Sequence, residues 1–243
     1  MHLVTQYRDR ADVPKAHFPL HLERLRPVIE WLAAKDPTLD AWFLKGDTVE
    51  EAGLYRVFGG GRPTTAAVAV LSERYRMKVG DPKTIAIWNG ETAKQQGAAL
   101  SVTIDTGIIA NELELSLGEV DAASSRLGEA ASIAELVTRL VALHDPAYIT
   151  FGPRKYVSKQ VFDYRPGASW MLYLPHTLTV SDVPEAGALI RIVGPEGKKQ
   201  MGTLIVSITE GVFDVKNPAH IEAANAIEVR LANQDLLPRY TEL

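Results

Sequence analysis

The stretch TIAIWNGETAKQQGAALSVTIDTGIIANELELSL, Thr84 to Leu117, holds three strand-like segments in succession with no helical period between them. Thr84 to Trp88 reads as a strand closing at Asn89-Gly90, a dipeptide that favours a turn because both residues tolerate positive φ. Ala98, Leu100, Val102 and Ile104 then alternate with Ser101 and Thr103, the period of a strand with one buried face. In the next segment Leu113, Leu115 and Leu117 alternate with Glu112, Glu114 and Ser116. That parity places Glu112 and Glu114 together on the solvent side of a sheet edge or hairpin. Consecutive strands of this kind pair antiparallel, because a parallel crossover would need a helix between them.

Helical patterns lie on either side. Leu22, Leu25, Ile29 and Leu32 form an apolar stripe that ends at Asp36-Pro37, with Pro27 expected to kink the helix or mark its restart. Between that stop and Thr84 the chain reads DPTLDAWFLKGDTVEEAGLYRVFGGGRP from Asp36 to Pro63. It contains a short aromatic strand, Trp42 to Gly46, then acidic residues, then Gly59-Gly60-Gly61. Pro63 suits the first turn of a second helix, on which Ala67, Val68, Leu71 and Tyr75 share a face.

The second half repeats the plan. Ser132 followed by Glu135 has the spacing of a capping box, and Ile133, Leu136, Val137, Leu140 and Val141 follow at helical intervals. This helix also stops at Asp-Pro, Asp145-Pro146. Trp170 to Leu174, Leu189 to Val193 and Thr203 to Ile208 read as strands, the last two joined as a hairpin through Gly194 to Gly197. Asn217-Pro218 opens a closing helix that turns Ile221, Ala224, Ile227 and Leu231 inward. Helices bracketing blocks of strands predict an α+β fold, a mainly antiparallel sheet flanked by helices. The expected organisation is one domain over 1–243, with a weak pseudo-repeat of two similar αβ halves at 16–117 and 131–243.

Composition narrows the chemistry. The 243 residues are 46% hydrophobic and 23% charged, which suits a globular core. No apolar run is long enough to span a membrane, and MHLVTQYRDRADVPK lacks the order of a signal peptide, so a cytoplasmic protein is expected. Zero cysteines remove disulfides, thiolate nucleophiles and Cys-based zinc sites. A net charge of −4 does not suggest a direct nucleic-acid binder. The distribution matters more than the sum. Asp105, Glu112, Glu114, Glu119, Asp121, Glu129 and Glu135 face Arg126 alone, a local net of −6. The stretch from Arg154 to Arg165 is basic, with Tyr156, Phe162 and Tyr164 interleaved, and reads as a surface loop or a second partner contact. Such asymmetry raises association rates and selects partners.

Catalytic patterns fail on specifics. Gly61-Arg62-Pro63 lacks the Lys of a phosphate-binding loop and puts proline where a donor is needed, so the glycines are better read as a positive-φ turn. His17 and His21 have no acidic third metal ligand spaced to join them, and His176 with Asp182 has no nucleophile elbow to serve. Asp105 with Glu112 and Glu114 resembles a magnesium set, but Ser116 stands where a nuclease lysine is usual. No catalytic residue, metal site or cofactor is expected. Trp31, Trp42 and Trp170 sit within apolar periodicity and belong in the core; Trp88, at a strand end, is a candidate anchor for a partner.

The Asp36–Pro63 stretch, with its Asp-Pro helix stop, aromatic strand and glycine triplet, resembles the immunity protein 52 family. These are antitoxins that accompany bacterial polymorphic toxins with a restriction-endonuclease-type nuclease domain. The resemblance extends more faintly over most of the chain and looks close to the immunity partners of type VI secreted nuclease toxins. It implies a non-enzymatic inhibitor whose partner is a cognate nuclease toxin. The residues that would meet such a basic partner are Asp105, Glu112, Glu114, Glu119, Asp121 and Trp88. Two other readings stay open. One is a metal-dependent hydrolase using Asp105, Glu112 and Glu114, and the other is a structural module of a secretion system.

Overall fold

The structure, a computed structural model, describes residues 1–9, 13–14, 17–48, 50–78, 80–104, 107–119 and 124–243. The elements run β1 (His2–Tyr7), α1 (Phe18–Lys35), β2 (Phe43–Leu44), β3 (Phe58–Gly59), β4 (Arg62–Pro63), α2 (Thr65–Tyr75), β5 (Lys83–Trp88), β6 (Ala98–Ile104) and β7 (Asn111–Leu117). They continue with α3 (Ala130–His144), β8 (Tyr148–Gly152), β9 (Met171–Leu174), β10 (Ala188–Val193), β11 (Gln200–Val206) and α4 (Pro218–Asn233). The class is α+β with antiparallel strand pairing, as the blocks of consecutive strands predict. Two compact units form, one from Asp9–Val120 and the other from Met1–Arg8 with Asp121–Leu243.

In the Asp9–Val120 unit the strand order is β7-β6-β5-β2. The alternation seen in the sequence sets the faces: Ile85, Ile87, Leu100, Val102, Ile104, Leu113, Leu115 and Leu117 are all buried. Helix α1 buries Leu22, Leu25, Val28, Ile29 and Leu32. It runs as one element through Pro27, so of the two expected outcomes, a kink or a restart, the restart does not occur. Buried side chains before and after the proline hold both halves in register, and Arg26 pairs with Glu23 at 3.1 Å and Glu30 at 2.7 Å across the site of the missing backbone donor. The Asp36-Pro37 stop is as expected, the Asp36 carboxylate accepting from the Thr38 N–H at 2.9 Å.

The glycine triplet forms the tight turn of the β3–β4 hairpin. Gly60 and Gly61 have φ of 58° and 74°, and Gly59 pairs with Arg62; two successive positive φ values define the turn whose twist suits a two-residue hairpin. Pro63 therefore lies in β4, opposite Phe58. Helix α2 starts two residues later than expected, capped by Thr64, whose side chain accepts from the Ala67 N–H at 3.2 Å.

Neither His17 nor His21 is placed as a ligand pair. His17 caps α1 through its Nδ1, which accepts from the Leu20 N–H at 3.2 Å, and His21 turns into the core. Burial lowers the His21 pKa from its ordinary value of 6.5, against the opposing pull of Asp9. A base that folding keeps neutral contributes stability that is present above 6.5 and is lost as pH falls through that value toward the folded one. The melting temperature is therefore expected to fall between pH 7 and pH 5. In His21→Leu that fall should be smaller; an identical pH profile in wild type and variant would contradict the assignment.

In the other unit the strand order is β10-β11-β9-β8-β1, with a register shift between Ile192 and Val193 of β10. Helix α3 buries Ile133, Leu136, Val137, Leu140 and Val141, as its period predicts. Its start differs: Glu129, in extended backbone, is the N-cap, so Ser132 lies inside the first turn and the capping box does not form. Asp145 closes the helix with φ of 47°. Helix α4 begins at Pro218 behind Asn217, whose side chain accepts from the Ala219 N–H at 3.0 Å.

Helix α4 also buries a carboxylate that its apolar stripe hides. Glu228 is 1% exposed. It accepts from the Tyr156 hydroxyl at 2.6 Å, the Ala168 N–H at 2.8 Å and the Val161 N–H at 2.7 Å. The basic and aromatic stretch after Phe151 is accordingly packed down instead of forming a surface loop throughout. Tyr156 is buried, and so is Arg165, whose guanidinium donates to the Leu237 carbonyl.

Candidate interaction surface

The outer face of the β7-β6-β5-β2 sheet is built by strand parity. Glu112 stands opposite Thr103, which stands opposite Thr84; Glu114 stands opposite Ser101, which stands opposite Ala86. The third row runs Ser116, Ala99, Trp88, Phe43. While every leucine of β7 is buried, Glu112, Glu114 and Ser116 are only partly covered. Two side chains two residues apart on one strand lie about 7 Å from each other, so the face presents two carboxylates at that spacing beside hydroxyls. The Thr84 and Thr103 hydroxyls meet at 3.1 Å. Nothing in this arrangement supplies a nucleophile with a base behind it.

Trp88 shares the face but is tied to its own chain. Its indole N–H donates to the Ala52 carbonyl, which lies in a short 3-10 turn over Glu51–Gly53. That turn closes tightly on Gly46, where an added Cβ would stand 2.5 Å from the Glu51 Cβ and 2.8 Å from the Ala52 nitrogen. The ring is thus half-buried with its polar edge satisfied, leaving its apolar surface as its contribution to the face.

The next residue does more than the turn signal implies. β5 ends at Asn89-Gly90 as expected, with Gly90 at φ of 79°, and residues 89–97 carry the chain to β6. Asn89 is buried. Its Nδ2 donates to the Thr38 carbonyl at 3.0 Å and the Gln96 carbonyl at 2.9 Å, while its Oδ1 accepts from the Ala98 N–H at 2.8 Å.

Of the other sequence candidates, Glu119 is half-buried just beyond the end of β7. Asp105 and Asp121 lie outside the described residues. The structure therefore brings Glu112, Glu114 and Trp88 to one face. Among the described residues no group of three His, Asp or Glu side chains is placed to hold a metal ion. No helix among them is long and apolar enough to cross a membrane.

The family model for Immunity protein 52 (Imm52) matches residues 20–239. The chain belongs to the Immunity protein 52 family. The match includes the whole of the outer face and the α4 network, as well as the Asp36–Pro63 stretch. No curated protein matches the chain. Among solved structures it is similar to Pseudomonas aeruginosa T6SS protein PA0821, with a TM-score of 0.50 and 12% identity over 93% of this chain and 75% of that one. At that identity the likeness is one of fold, and it extends over nearly the whole Imm52 chain.

Proposed function

We propose that this Imm52 protein binds a cognate secreted nuclease toxin in the cytoplasm of the producing cell and neutralises it by covering the toxin's active site or another essential surface. The observation that carries the reading is the polar outer face of the first sheet, with Glu112 and Glu114 side by side on β7. A nuclease must present cations to hold phosphates, so a carboxylate-bearing surface opposes it both by charge and by steric cover. Asp105, Glu119 and Asp121 of the same acidic segment extend that charge in sequence. Trp88 adds apolar area. No cofactor or metal takes part, and no residue does chemistry.

The test is a calorimetric titration against a catalytically inactive form of the toxin encoded beside it, with rescue from the active toxin followed in cells. Nanomolar one-site binding with rescue is expected. Replacing Glu112 and Glu114 together by Lys should weaken binding by about 2–5 kcal/mol if the carboxylates are central and desolvated. If they lie at the rim, the change should fall mainly on the association rate and its salt dependence. Unchanged affinity and unchanged rate would remove these residues from the interface, and no binding by the wild type would remove the function.

A further inference from the structure

We infer that the turn between β6 and β7 carries the apolar anchor of the toxin interface, with Ile108 and Ile109 seated in an apolar pocket of a basic toxin surface. The inference rests on the immunity reading and names the contact within it. Ile108 is 90% exposed and Ile109 61% exposed. Single exposed aliphatic residues are ordinary on protein surfaces, but two adjacent isoleucines in a turn are not, because turns favour small and polar residues that hydrogen-bond to their own backbone. On the adjoining strands Ile104, Leu113 and Leu115 are each only 1% exposed, so among the described residues of the hairpin the large aliphatic side chains left in water are at its tip.

The turn is also held from below. Gly107 bends the chain with φ of 72°. Asn111, at the first position of β7, is buried and donates to the Asp9 carboxylate at 3.0 Å; Asp9 in turn pairs with Arg24 of α1 at 2.5 Å. A tip on an anchored base loses less conformational freedom on binding, and interface anchors are typically apolar groups presented this way with polar residues around them. The surrounding charge chooses the occupant. Glu112 follows Ile109 by three residues and Glu114 by five, within roughly 10 and 17 Å, the reach of a fully extended chain. A second copy of this hairpin would bring the same carboxylates against each other, whereas a cationic protein surface would complement them.

The experiment replaces both residues in the full chain, Ile108→Ser with Ile109→Ser, and titrates the variant against the catalytically inactive toxin beside wild type, with Ile108→Leu/Ile109→Leu as a conservative control. The serine variant should bind roughly ten- to a hundredfold more weakly. Its melting temperature should change little, since folding leaves most of both side chains in water, and the leucine variant should bind within a fewfold of wild type. Lowering the salt should not restore the serine variant, which separates an apolar loss from a charge effect. Wild-type affinity in the serine variant would overturn the anchor while leaving the immunity reading intact. Absence of binding by wild type itself would overturn both. A wild-type dimer in sedimentation that dissociates in the serine variant would assign the tip to self-association and overturn the proposed occupant.

Discussion

Glu228→Ala is expected to destabilise the protein by about 2–6 kcal/mol, because it leaves two buried backbone donors without an acceptor at about 1–3 kcal/mol each. Three donors converge on this carboxylate, and after its removal the Val161 and Ala168 N–H groups and the Tyr156 hydroxyl lose it as acceptor. The Tyr156 hydroxyl also lies 2.9 Å from Asn225 Oδ1, which gives that donor a second partner; the two backbone groups bear the larger loss. Glu228→Gln keeps the volume but turns an amide NH2 toward one of the backbone donors, so it should cost about 1–3 kcal/mol. Denaturant unfolding of the three proteins gives the order directly. Alanine no worse than glutamine would show that solvent reaches the site.

The same residue has an unusual pH signature. Burial raises the Glu228 pKa above the ordinary carboxylate value of 4.5, and the hydrogen bonds from Tyr156, Val161 and Ala168 offset only part of that. The folded protein therefore binds this proton more tightly than the unfolded chain. Its contribution to stability is fully present below 4.5 and declines as pH rises through the folded value, opposite to a carboxylate in an ion pair. Glu228→Gln should remove this decline. An unchanged profile above pH 4.5 would show that Glu228 remains fully ionised in the fold.

The second large effect is expected at Asn89→Asp, which exchanges an amide for a carboxylate of the same shape. It replaces a donor that lies between the Thr38 and Gln96 carbonyls with an oxygen that repels both. A cost of about 3 kcal/mol is expected from two carbonyls that lose this donor and a buried charge without a counterion. Acidification supplies the control. Burial without a counterion raises the pKa of the introduced carboxyl, and once protonated it regains a donor, so the gap to wild type should narrow as pH falls toward about 4 and stay constant below that. Asn89→Ala, which has no charge to titrate, should show no such narrowing.

These two residues show where sequence reading reached its limit. The parity of Ala98–Ile104 and Asn111–Leu117 predicts which face each side chain takes, because a strand has one period and each neighbour is local. Helix stops at Asp36 and Asp145 are legible for the same reason, as proline's missing donor acts on its own backbone. Glu228 follows the inward-facing Ile227 and precedes Val229. A charge at that position reads as the beginning of the solvent side, since the groups that bury it, the Val161 and Ala168 N–H, lie 67 and 60 residues away. Asn89-Gly90 carries a strong local turn preference, but the Thr38 carbonyl, 51 residues distant, decides what Asn89 does. The acidic segment singles out Glu112 and Glu114, while Ile108 and Ile109 stand near its start, between Asp105 and Glu112. An aliphatic pair directly after Thr106-Gly107 was the available signal.

The ends of the two strand runs bear on the life of the protein before it meets a partner. β2 is two residues long, and β10 changes register between Ile192 and Val193 and holds the exposed Arg191. A long, flat terminal strand invites another chain to add to it, and brevity, a bulge and an outward charge are the devices that prevent this. At β2 and β10 the protein therefore offers another chain little to pair with, which disfavours sheet-to-sheet aggregation.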